Sequence, residues 1–152
     1  MSGMELSSPA FSHGGKIPRK YGYTEENVSP PLEINGVPAE AGSLILIMDD
    51  PDAVEPAGKV WDHWVLWNIE PNTRDIPEGE TPPGAVEGKT DYGERGYGGP
   101  NPPDKEHTYK FKLYAVDKTL DIPPSSTKDD VRKAIKGHVL DKALLEGRYA
   151  PW

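Results

Sequence analysis

The sequence predicts a mainly β, antiparallel domain with a short helical pair near its C-terminus, and three observations carry that prediction. Leu44-Ile45-Leu46-Ile47-Met48 is an unbroken apolar run rich in β-branched residues, the pattern of a strand buried on both faces. Over 109–116, Tyr109, Phe111, Leu113 and Ala115 alternate with Lys110 and Lys112, the period-2 pattern of a strand with one apolar face. Helical periodicity comes only late, and nothing alternates strand, helix and strand as a doubly wound parallel sheet would.

Taken in order, residues 1–38 place Phe11, Ile17, Tyr21 and Tyr23 among glycines and polar residues, which reads as short strands and turns. Asn27-Val28-Ser29 has the form of a glycosylation acceptor, but Pro30 follows directly and no export signal precedes it, so it reads as a turn. The apolar strand ends abruptly in Asp49-Asp50-Pro51-Asp52, where the chain must change direction; a cis Asp50–Pro51 bond is one way to turn it. Trp61-Asp62-His63-Trp64-Val65-Leu66-Trp67-Asn68-Ile69 then reads as a second buried strand. Residues 71–99 form a long irregular stretch, and a loop of that length in a compact domain is usually functional or disordered. After the 109–116 strand and Pro123-Pro124, Ser126 or Thr127 can cap a helix, with Asp129 or Asp130 completing a capping box and Val131, Ala134 and Ile135 as its apolar stripe. Gly137 ends it, and 138–145 reads as the second helix of the pair.

Composition bounds the function. The 152 residues suit one domain, 1–152, and the formal net charge of −8 argues against nucleic acid or an anionic membrane surface as the main partner. There is no cysteine, which removes thiol nucleophiles, disulfides and zinc–thiolate sites together. The first residues lack a charged-then-apolar pattern and the longest apolar runs are of strand length, so a cytoplasmic protein without stable membrane insertion is expected. The 17 prolines and 16 glycines, well above the roughly 12% of average usage, point to many ordered turns and long loops.

Asp50, Asp52 and His63 stand where core strands end, and ionisable groups are costly to desolvate there, so they suggest a site more than packing. Each also has a plainer reading. A histidine between two tryptophans can be a core residue, Asp-Pro-Asp is often only a turn, and Trp61, Trp64 and Trp67 suit a core or pocket wall. Familiar catalytic loops are missing. Gly84 to Thr90 is one residue too short for a phosphate loop and follows two prolines instead of a strand; Gly96, Gly98 and Gly99 lack dinucleotide-loop spacing; no Gly-x-Ser-x-Gly occurs.

Four motifs in order carry a family resemblance. Asp50-Pro51-Asp52-Ala53, Trp61-x-His63-Trp64 running on to Asn68-Ile69, Gly98-Gly99-Pro100-x-Pro102-Pro103 and His107-x-Tyr109-x-Phe111 resemble the phosphatidylethanolamine-binding protein family, especially its bacterial and archaeal Raf-kinase-inhibitor-like branch. Phe11, Gly15, Ile17-Pro18, Tyr21, Asn27-x-Ser29-Pro30-Pro31-Leu32 and Gly36-Val37-Pro38 extend it over nearly the whole chain. The chain departs from the common pattern at Thr108, where an arginine is usual, and at Ile34, where an aromatic is usual.

The resemblance implies two packed antiparallel sheets and a small pocket for phosphate-like anions, formed by Asp50, Asp52, His63, Gly99, Pro100, His107 and Tyr109. His63 and His107 would donate ring N–H groups, Tyr109 its hydroxyl and Gly99 its backbone N–H, while Asp50 or Asp52 would orient a histidine or bind an amine head group, Asp50 being the nearest candidate for His63. No cofactor and no enzymatic activity are expected. The implied partners are a phosphate-like anion or a phospholipid head group, with a kinase or protease as protein partner and a homodimer as further options. The rival reading is a metal-dependent hydrolase built on His63, His107 and Asp50.

Overall fold

The computed structural model describes residues 3–151. Strands β1 (Glu5–Ser7), β2 (Gly15–Lys16), β3 (Leu32–Asn35) and β4 (Ser43–Asp50) precede helix α1 (Val54–Ala57). Strands β5 (Trp61–Ile69), β6 (Asp75–Ile76), β7 (Val86–Glu87) and β8 (His107–Val116) follow, then helix α2 (Lys128–Ile135) and strand β9 (Val139–Tyr149). Two sheets result, mainly antiparallel: three strands in the order β1-β3-β6 and six in the order β2-β9-β8-β4-β5-β7. Among the described residues, only the two-residue β2 runs parallel to its neighbour, β9.

β4 lies at the centre of the larger sheet with all eight residues buried, which is why its sequence shows no polar alternation. Leu44, Leu46 and Met48 point toward the small sheet and meet Leu6, Leu32, Ile34 and Ile76, together with Trp64, Leu66, Phe111 and Leu113 from the flanking strands. Ile45 and Ile47 point the other way, with Val65 and Trp67, against Val131 and Ile135 of α2. Burying each of these aliphatic side chains contributes about 1.5–3 kcal/mol. Asp49 and Asp62 fall on the α2 side as well. There Lys112 Nζ lies 2.9 Å and Lys128 Nζ 3.3 Å from Asp49 Oδ2, and Lys128 Nζ lies 2.6 Å from Asp62 Oδ1.

Of the two predicted C-terminal helices, α2 forms with Thr127 as its cap and Asp130 returning the bond, Oδ2 accepting from the Thr127 N–H at 3.0 Å. The second does not form: residues 139–149 are a strand. Gly137, at φ 83°, turns the chain, and β9 then pairs along the whole length of β8, from Val116↔Val139 to His107↔Tyr149. Leu140 and Leu144 remain exposed, while Leu145, Gly147 and Tyr149 alternate inward. The open edge of β8 offers a ladder of backbone bonds that outweighs the weak helical preference of an eight-residue segment. The loop over 71–99 is largely irregular as expected, interrupted by β6 and β7.

β5 carries two register shifts against β4. Met48 pairs with Trp64 and Asp49 with Asp62, so His63 is the extra residue of a β-bulge. Leu46 pairs with Leu66 and Leu44 with Ile69, and within that second shift Asn68 takes a left-handed conformation at φ 59°. Its side chain closes the irregularity, Nδ2 donating to Leu120 O at 2.9 Å and Oδ1 accepting from the Leu120 N–H at 2.7 Å.

Candidate functional site

Three neighbouring strands deliver the site. Asp50 ends β4, His107 begins β8 on one side of it, and His63 sits near the start of β5 on the other. Strict alternation from Trp64 would aim His63 at the α2 side. The bulge turns it to the same face as Trp64 instead, where its ring meets Tyr109 edge-on at 5.2 Å between centroids.

Asp50 is fixed at both oxygens. Oδ1 accepts from the Asp52 N–H at 2.9 Å, capping a 3-10 turn over Pro51–Ala53, and Oδ2 meets His107 Nδ1 at 2.5 Å. That turn makes the change of direction for which the sequence suggested a cis bond. Asp50–Pro51 is trans, because a proline at the first position of a helical turn already has the required φ. Asp52 faces outward and holds the site from behind: its Oδ2 accepts from the Thr108 N–H at 2.8 Å, tying the turn to β8. Asp50 thus orients His107, not His63 as expected: its backbone still pairs with Trp61 of β5, while its side chain reaches across to the start of β8.

The two histidines differ in charge. His107 meets a carboxylate at each nitrogen, Asp50 at Nδ1 and Asp104 Oδ1 at Nε2, 2.7 Å away. Burial opposes its charge, but the hydrogen bonds and charges of Asp50 and Asp104 prevail and hold its pKa above the ordinary value. Burial likewise raises Asp50, against the pull of His107 and of the Asp52 N–H. His63 Nδ1 lies 2.7 Å from the Gly98 carbonyl, which can only accept, so the proton is on Nδ1 and Nε2 is bare. Burial lowers its pKa to about 4, against the bonds to the Gly98 and Gly99 backbone, and the ring is neutral. It presents an acceptor where a donor was expected.

Asp50, His63, His107 and Tyr109 line one cavity of about 180 Å³. Trp61, Tyr92, Asn101, Pro102 and Pro103 form further walls, and Pro56 and Ala57 of α1 stand at its edge. Tyr92 is held by stacking on Tyr23, ring centroids 4.0 Å apart, and its hydroxyl donates to Gly99 O at 2.9 Å. The Tyr109 hydroxyl is buried with no acceptor for its proton; desolvation raises its pKa, outweighing the Asn101 backbone nearby, which pulls it down, so it remains a donor. Among the lining residues there is no lysine or arginine.

Gly99 and Pro100 stand behind this wall. The Gly99 N–H donates to Asn27 Oδ1 at 2.8 Å, so it is not offered to a ligand. A Cβ at Gly99 would come within 2.0 Å of Tyr21 O, so the missing side chain serves the packing of two loops. The Asn27 turn acquires its role here. Asp104 carries no signal in the sequence beyond its spacing three residues before His107. Tyr92 was visible as a loop aromatic, with nothing along the chain to fix it.

These observations agree with the comparisons. The family model described as phosphatidylethanolamine-binding protein matches residues 7–150. A UPF0098 protein of Methanothermobacter thermautotrophicus is 48% identical over 151 residues, covering 96% of this chain and 98% of that protein. A phosphatidylethanolamine-binding protein homolog of Chlamydia trachomatis superposes with a TM-score of 0.91 at 41% identity, covering 98% of each chain. E. coli YbcL, described as a member of the mammalian PEBP family, gives 0.89 at 28% identity, over 97% of this chain and 98% of its own. The chain belongs to the phosphatidylethanolamine-binding protein family. No helix among the described residues is long and apolar enough to cross a membrane.

Proposed function

We propose that the cavity binds a small phosphate-type anion, free or as the head group of a larger molecule. The observation that carries this reading is the Tyr109 hydroxyl, buried with no acceptor for its proton between two histidines of opposite hydrogen-bonding character. A hydrogen phosphate complements that set: its P–O⁻ oxygens accept from Tyr109 and, in place of the part-exposed Asp104 carboxylate, from His107 Nε2, and its P–OH donates to the bare Nε2 of His63. The size supports it. About 180 Å³ is the room of roughly six waters and below the roughly 300 Å³ at which pockets for drug-sized ligands begin, so a head group enters and acyl chains stay outside.

A hydrolytic metal centre fits these residues poorly. With a carboxylate at each nitrogen His107 carries both protons and has no lone pair to give, and Nδ1 of His63 is held by a carbonyl, leaving Nε2 of His63 as the one ring nitrogen of the set able to ligate.

Tyr109→Phe tests the binding reading, because it removes the hydroxyl and keeps the ring. Inorganic phosphate, phosphorylethanolamine and phosphatidylethanolamine vesicles are titrated into both proteins by calorimetry. Loss of one hydrogen bond to a charged group lowers affinity about tenfold or more. The free ligands and the vesicles distinguish a soluble anion from a lipid head group. Equal affinity in Tyr109→Phe removes Tyr109 from the site, and no binding of any of the three sinks the reading.

A further inference from the structure

Asp104 belongs to the site without lining the cavity. It lies on an exposed stretch, residues 103–106, between the buried Pro102 and the buried His107 that starts β8. His107 Nδ1 is committed to Asp50, which is buried and whose other oxygen is held by the Asp52 N–H. His107 Nε2 is therefore the donor that can change partners, and Asp104 Oδ1 occupies it at 2.7 Å from a side chain 37% exposed. The next residue, Lys105, pairs with Glu55 of α1 at 3.0 Å. Since Pro56 and Ala57 of α1 edge the cavity and Pro102 and Pro103 wall it, this ion pair ties the two rims together. Its partners are 60% and 77% exposed, and such a pair is weak.

We propose that Asp104 is a resident competitor: its carboxylate occupies His107 in the empty site, and a ligand's phosphate displaces it and frees the 103–106 segment. This rests on the reading of the cavity as a phosphate site. One N–H cannot serve two anionic oxygens well, and two anions sharing it repel each other. Asp104 is the partner that can leave, because water receives its carboxylate as soon as it swings outward. The exchange is one anion for another, so His107 keeps its proton and Asp50 keeps its cation.

Selectivity follows. A tethered carboxylate acts at a high effective concentration, so a free carboxylate bringing the same chemistry gains nothing by replacing it. Phosphate brings more charge and more oxygens, which also reach Tyr109 and His63, and can displace it. Asp104 thereby excludes simple carboxylates from a cavity whose walls would otherwise accept them.

The test titrates inorganic phosphate and acetate into the wild type, Asp104→Ala and Asp104→Asn, with backbone amide NMR of the wild type alongside. Asp104→Ala is expected to bind phosphate about tenfold tighter and to bind acetate measurably where the wild type does not. Asp104→Asn, a neutral acceptor, is expected to fall between, and carries the same comparison if the alanine variant fails to fold. In the wild type, phosphate must shift the amides of residues 103–106. Equal or weaker phosphate binding in the variants, with the wild type binding, overturns the role of Asp104 and leaves the phosphate site in place. Phosphate binding to none of the three overturns both.

Discussion

Acidification gives His63 a measurable signature. The ring is neutral and buried, and its pKa lies near 4 against an ordinary 6.5. In the unfolded chain it takes up a proton as the pH falls through 6.5; in the folded protein it does so only near 4. The unfolded state therefore binds more protons throughout that window. The contribution of His63 is fully present above pH 6.5 and is lost progressively down to about 4. At about 1.4 kcal/mol per pH unit, the loss amounts to about 3 kcal/mol. His63→Asn is the control, because its amide nitrogen can take the place of Nδ1 and donate to the Gly98 carbonyl but cannot titrate. Urea unfolding of both proteins at pH 7, 5.5 and 4 isolates the term, since Asp50, His107 and the other ionisable groups are common to both. The wild type should lose about 3 kcal/mol more than the variant between pH 7 and 4. Parallel pH profiles would refute the neutral, carbonyl-bound His63 and the acceptor role assigned to its Nε2.

Two other changes probe the supports of the site. Gly99→Val drives a side chain into the Tyr21 carbonyl, 2.0 Å from where its Cβ would lie, and should lower unfolding free energy by about 3 kcal/mol or more in urea; unchanged stability would show that the two loops part easily. Asn68→Ala removes both bonds to Leu120 and leaves a Cβ residue at φ 59°, for a loss of about 2–3 kcal/mol. Asn68→Gly should recover about 1 kcal/mol of that, and equal losses in the two variants would assign the whole effect to the hydrogen bonds.

How much could be read along the chain depended on the range of the forces involved. β4, β5 and β8 were legible because each carries its own burial pattern: an unbroken run in β4, alternation in β8. The convergence of Asp50, His63, His107 and Tyr109 was legible through the family motifs, and the structure gathers these four around one cavity. The partner of Asp50 was not. β4 has β5 on one side and β8 on the other, and the direction in which the capped Asp50 side chain points, which no sequence pattern encodes, decides between His63 and His107. The protonation of His63 was hidden for a related reason, since it is set by the Gly98 carbonyl, 35 residues away on a loop without a pattern. Gly99 looked like a ligand donor because nothing in its own neighbourhood names Asn27, 72 residues earlier, as the acceptor of its N–H. β9 failed as a helix because leucines spaced for a helical face also suit a strand, and only the free edge of β8 distinguishes the two.

The pairing of β4 with β8 also sets when the site comes into being. Asp50 and His107 are 57 residues apart, and the strands that bring them together are joined through α1, β5 and the long loop. Closing so large a loop forfeits chain entropy before any contact compensates for it, and folds dominated by such pairings form in milliseconds to seconds, not microseconds. A hairpin of β4 and β5 alone can form early, yet it would hold Asp50 and His63 without the imidazolium that balances Asp50. A nascent or partly unfolded chain consequently has no competent cavity. Ligand would bind the finished fold alone, and phosphate in excess would raise its unfolding free energy by mass action.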